Sequence, residues 1–169
     1  MANFDQHIIQ AKRNIKFLDS VDNSIPDFWD WKVTTVFYVG VHLMNAHLAK
    51  TLGYTYRTHR EVEQAINCNN TTSLGKVDET TYLAYTKLRN LSRRSRYLIH
   101  HSDKNSQVAC MTYDKHFSKS LTHLEDLIKF VEEEYDVVIP KIGIDCIEIS
   151  KKKLPHFEYE RMAVSIGDK

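Results

Sequence analysis

Breakers are scarce in this chain: five glycines and three prolines among 169 residues. A fold built on tight turns needs many residues that preset or tolerate unusual φ, so this sequence is steered toward long uninterrupted helices. The apolar spacing agrees. Phe4, Ile8, Ala11, Ile15 and Leu18 recur at steps of four and three, which predicts an amphipathic helix over residues 3–20. Ser24, Ile25, Pro26 and Asp27 interrupt it, and Asp27 is the expected N-cap of the next segment. From residue 28 to 52 apolar side chains point almost all round, as in a central buried helix, with Gly40 and Ala46 admitting close neighbours and Gly53 ending it. His42 and His47 within it read as hydrogen-bonded core or boundary residues.

A short helix is expected over residues 58–67, because Thr58 followed three residues on by Glu61 forms a capping box. The polar stretch at 67–76 is a loop, and a long helix follows over residues 78–100. After a loop at 102–110, Phe117, Leu121, Leu124, Ile128 and Val131 give a last helical stripe ending near Tyr135. Residues 136–149 change character. They are rich in β-branched side chains with partial alternation, which predicts a short strand or hairpin, or an extended arm that pairs with another chain. The expected fold is all-α: an up-and-down bundle of four long helices plus one short helix over residues 1–135, with a β-prone C-terminal extension over 136–169.

Composition narrows the function classes. A formal net charge of +1 means that attraction to nucleic acid must come from a local patch. Cys68, Cys110 and Cys146 are odd in number and form no CxxC pair, which suits reduced thiols in a cytoplasmic protein. The N-terminus lacks an apolar signal core, and the most apolar stretch, residues 33–48, is too short and polar to span a bilayer. No Gly-rich phosphate loop or GxSxG is present, and His116 and His123, seven apart, have no further ligand to complete a metal set. No cofactor and no metal are expected.

The segment from Tyr85 to His101 carries the chemistry. On a helix at about 100° per residue, Ala84, Leu88, Leu91, Ser95 and Leu98 form the core face, and Tyr82, Arg89, Arg93, Arg96 and His100 gather on the other side. Arg93 and His100, two turns apart, stack along one face, and Arg94 and His101 repeat the relation beside them. Two readings stand. The arginines solubilise an exposed face, or they hold a phosphate by paired hydrogen bonds while a neutral histidine takes a proton. His59 and Arg60, at a helix start, are further phosphate contacts or merely cap and packing residues. Small-nucleotide binding lined by Tyr38 and His42 is a third option.

The stretch Phe37-Tyr38-Val39-Gly40-Val41-His42 resembles the FYxxxH segment of HEPN-domain proteins. Thr58-His59-Arg60 is similar to the SH-containing segment that follows it. Tyr85, Leu88, Leu91, Ser92, Arg96 and Tyr97 match the Y-x2-L-x2-LS-x3-RY pattern of one HEPN-like subgroup. Together these cover about residues 28–100 in the right order. The resemblance implies a helical bundle that commonly dimerises and associates with nucleic acid or nucleotides. Active members are metal-independent endoribonucleases, including toxin–antitoxin and defence proteins of prokaryotes, that use an Arg-x4–6-His motif at the dimer interface. Carried over, Arg93, Arg94, His100 and His101 are the catalytic candidates, with Arg89, Arg96, Tyr97, His59 and Arg60 as nucleic-acid contacts. The chain departs from the motif in having Arg94 and Ser95, where active members follow the arginine with Asn, His or Asp. The expected partners are a second copy of the chain, RNA or a nucleotide, and a protein docked through the C-terminal tail, with no membrane. The competing function is a non-catalytic helical dimerisation and docking module.

Overall fold

The computed structural model describes residues 2–25, 27–98 and 111–161. Its elements run α1 (Phe4–Ser24), α2 (Trp29–Leu52), α3 (His59–Ile66), α4 (Glu79–Tyr97), α5 (Asp114–Tyr135), β1 (Ile142–Ile144), a 3-10 turn (Ile147–Ile149) and β2 (Phe157–Tyr159). The chain is an all-α bundle, and among the described residues its β content is one two-stranded sheet in the tail.

Local chemistry sets most helix ends. Asn3 and Gln6 exchange side-chain to backbone bonds of 2.9 Å at the start of α1. Thr58 and Glu61 do the same before α3, as the capping box requires. Gly53 closes α2 at φ 74°, a left-handed angle that glycine adopts without a Cβ penalty. Asp27 does not cap α2. The cap position falls on Phe28, whose side chain makes no capping bond. α4 is shorter than expected: Leu98 turns left-handed at φ 54°, and its N–H returns to the Arg94 carbonyl at 2.8 Å. The loop expected at 102–110 lies outside the described residues.

α2 is the centre of the bundle, packed against α1, α3, α4 and α5. Val33, Val36, Phe37, Leu43, Met44 and Leu48 are fully buried, each contributing about 1.5–3 kcal/mol of transfer free energy. A Cβ on Gly40 would come within 2.9 Å of Leu127 and 3.0 Å of Leu88, so the absent side chain lets α4 and α5 close on α2. His47 is a bonded core histidine. Its Nε2 donates to the Gly75 carbonyl at 2.9 Å, which leaves Nδ1 to accept from the Tyr135 hydroxyl at 2.6 Å. The Nδ1 atoms of His42 and His7 lie 3.0 Å apart, so one ring donates while the other accepts.

One buried ion pair escapes sequence patterning. Lys32 of α2 reaches Asp22 of α1 at 2.8 Å with both side chains shut off from solvent, and the ammonium sits 4.3 Å from the Trp29 ring centre. Asp22 also accepts the Asp145 N–H at 2.7 Å, which ties the tail to α1.

β1 and β2 pair in parallel, Ile142 opposite Phe157 and Ile144 opposite Tyr159, where a hairpin would be antiparallel. The connection at 145–156 supplies the dozen or so residues that a parallel pair needs. Ile139, Ile144, Cys146, Ile149, Leu154 and Phe157 join the hydrophobic core. His156 fastens the return: its Nδ1 meets Glu125 at 2.9 Å and its Nε2 meets Glu132 at 3.2 Å, both on α5. Among the described residues no helix is long and apolar enough to cross a membrane.

Candidate functional site

Arg89, Arg93 and Arg96 follow one another at steps of four and three, so α4 presents them as a single stripe, with Tyr97 four residues beyond Arg93. α3 faces this stripe. Its own core side is Val62, Ala65 and Ile66, and burying these against the bundle turns His59, Arg60 and Glu63 toward α4. The two faces enclose a pocket of about 500 Å³ lined by His59, Arg60, Glu63, Arg89, Arg93, Arg96 and Tyr97. Six of these are residues that the sequence singles out for nucleic-acid contact or catalysis.

The charge balance is uneven. Four guanidinium groups share the pocket with one carboxylate, Glu63, which pairs with Arg89 and accepts the Thr86 hydroxyl at 3.3 Å. Among the described residues Arg60 and Arg93 have no carboxylate in ion-pair range. Arg96 lies over the Phe37 and Tyr97 rings, at 5.8 and 5.3 Å, which fixes its plane without neutralising it. Arg89 Nε is buried with no acceptor among the described residues. Beneath it the fully buried Tyr85 hydroxyl is likewise unpartnered, and burial pushes its pKa up.

His59 is the imidazole of this pocket. Its ring packs edge-on to Phe37 at 4.9 Å and to Tyr38 at 6.0 Å. Burial lowers its pKa, and the charges of Arg96 and Arg89 lower it further, so it is neutral at pH 7. A neutral imidazole among unpaired guanidinium groups can accept a proton while the arginines hold an anion by bidentate bonds.

The other candidates separate from this group. Arg94 is rotated about 100° from Arg93 on the helix, and it spends its fork on the Met111 carbonyl, Nε at 3.1 Å and Nη2 at 2.8 Å. It is a brace between α4 and the start of α5, not a pocket residue. His100 and His101 lie outside the described residues. Because α4 ends at Tyr97, a two-turn stacking of Arg93 with His100, or Arg94 with His101, is not provided by that helix. Leu98, expected on the core face, is 42% exposed, while Tyr85 is fully buried instead. His42 is taken up by His7, and burial drives its pKa down to about 4.

Glu63 is the pocket residue that sequence reasoning passed over. Glu63 stands three residues after Arg60, a helical spacing that places it on the same face. No group of metal-ligating side chains is found among the described residues. His116 Nδ1 accepts the Tyr113 N–H at 3.0 Å, and His123 sits near Lys87, Lys119 and Lys152, whose charges repel a cation. Comparisons with protein-family models, curated proteins and solved structures find no match.

Proposed function

We propose that the chain is an HEPN-like cytoplasmic protein that binds RNA or nucleotide phosphate in the α3–α4 arginine pocket. It acts as a homodimer in a prokaryotic toxin–antitoxin or defence setting. The observation that carries the reading is the convergence of four arginines from two helices on one pocket with a single carboxylate to balance them. Aromatic rings stand among the charges: Tyr97 is 61% exposed at the rim, and Tyr38 is exposed beside His59. Guanidinium groups interleaved with stacking platforms are the chemistry that tracks a single-stranded backbone. In this reading Arg93 steadies charge at phosphorus, and a histidine, His100 or His101, serves as base for metal-independent cleavage. The docking-module alternative has less support, because β1 and β2 pair with each other and Phe157 is spent in the chain's own core.

The test is binding of fluorescein-labelled single-stranded RNA across a salt series. Three uncompensated guanidinium groups, at about −0.7 each, give a slope of log K on log salt near −2, and Arg93→Ala brings it to about −1.4. Binding that is weak and indifferent to salt, or a slope unchanged in Arg93→Ala, refutes the reading. Cleavage is scored on the same RNA in EDTA, where loss in His100→Ala or in His101→Ala identifies the base.

A further inference from the structure

A second pocket lies across α3 from the arginines. Successive residues on α3 point about 100° apart, so Arg60 and Glu63 form one stripe while Glu61 and Gln64 form another, rotated from it by about 100° around the helix. This second stripe closes a cavity of about 520 Å³ with Tyr54 and Tyr56 on one wall and Asn70, Thr72 and Ser73 on the other.

Its chemistry is the reverse of the first. No lysine or arginine lines it, and its one charged residue, Glu61, is held by the Thr58 N–H at 3.1 Å and hydroxyl at 2.7 Å. A phosphate finds no counter-charge there. An uncharged ring with hydrogen-bonding edges needs none. Tyr54 and Tyr56 stand edge to face, centres 5.2 Å apart, their hydroxyls bonded at 2.9 Å. The buried Asn45 fixes the Tyr56 backbone by accepting its N–H at 3.1 Å. The opposite wall is equally set. Asn70 accepts the Thr72 N–H at 3.2 Å and hydroxyl at 2.8 Å, and donates to the Gln64 carbonyl at 3.1 Å. Between these walls the exposed Gln64 side-chain amide makes no bond to another described residue, and it offers a donor beside an acceptor.

We infer that this cavity is a nucleobase subsite, which takes a base of the same single strand whose phosphate lies in the arginine pocket, with the strand crossing over α3. The inference rests on the phosphate-binding reading above. The Gln64 amide matches the paired donor and acceptor that adenine presents, and the tyrosines supply the stacking face. The helix to be crossed is about 10 Å wide, so a mononucleotide fills one site only and a tetranucleotide can engage both.

The experiment compares AMP with 5′-phosphorylated tetraadenylate on the full chain, using wild type, Arg93→Ala and the double variant Tyr54→Ala with Gln64→Ala. Both replaced side chains of the double variant are exposed, and an unchanged Tm certifies its fold. The expected result is a loss of about ten-fold in tetraadenylate affinity in the double variant, with AMP affinity and the salt slope unchanged. Tetraadenylate binding equal to wild type in the double variant overturns the subsite. If Arg93→Ala still weakens both ligands in that case, the arginine pocket stands without it. If Arg93→Ala weakens neither, the phosphate reading falls and the subsite falls with it.

Discussion

Replacing Asp22 with alanine removes a carboxylate 2.8 Å from Lys32 Nζ, while the lysine remains fully buried under Trp29 and Phe117. Removing one partner of a buried ion pair costs about 3–5 kcal/mol. The Asp145 N–H also loses its acceptor, so the cost belongs at the upper end. For a chain of this size 1 kcal/mol moves Tm by about 2–4 °C, and Asp22→Ala is expected to lower Tm by about 10–15 °C. The informative companion is Lys32→Met with Asp22→Asn. It removes both charges, yet asparagine keeps an oxygen for the Asp145 N–H. Neutral replacement of a buried pair is often harmless or stabilising, so this double variant should unfold within about 1 kcal/mol of wild type or above it. Thermal and urea unfolding of the variants complete the cycle. A cost below about 1 kcal/mol for Asp22→Ala is what an exposed pair gives, and it would refute the claim that burial governs this interaction.

Further outcomes follow from other sites. Gly40→Val forces two methyl groups against Leu127 and Leu88 at the crossing of α2 with α4 and α5, and should destabilise by about 1–3 kcal/mol in urea unfolding. The hydrogen bond from His156 to Glu125 raises the histidine pKa, so the protonated form favours the native state. Its contribution is complete below about pH 6.5 and fades as pH rises through the higher folded value. Amide protection factors in β2, corrected for intrinsic base catalysis, should therefore fall over that window, and His156→Gln should remove that fall. His42 and His123 have the opposite sign. Burial lowers each to about 4, so their neutral forms favour the native state above about 6.5, and stability is lost as pH falls toward 4. Tm measured from pH 7 to 4 should fall, and more gently in His42→Gln.

Much of this protein is legible along the chain because helix formation is a short-range matter. The step of four and three from Phe4 to Leu18, the Thr58–Glu61 box and the glycine after Leu52 each lie within a few residues, and each forms as read. The arginine stripe of α4 is equally local: its spacing alone brings Arg89, Arg93 and Arg96 to one face. The errors occur where a local cue competes with a distant one. Asp27 looks like a cap, yet α2 begins after Phe28. Arg94 looks like a twin of Arg93, yet its direction from the helix leads it to the Met111 carbonyl.

What made the stripe a pocket was the docking of α3, whose Val62, Ala65 and Ile66 sink into the core and thereby turn Arg60, Glu63 and His59 onto α4. The same event built the tyrosine-lined cavity on the far side. Lys32 with Asp22, His156 with Glu125, and the parallel pairing of β1 with β2 are likewise decisions of packing. Periodicity states which face of an element is apolar and which residues share its other faces. It carries no information on which neighbour will cover them, because that depends on the mutual fit of surfaces that are distant in sequence and meet only when the core closes.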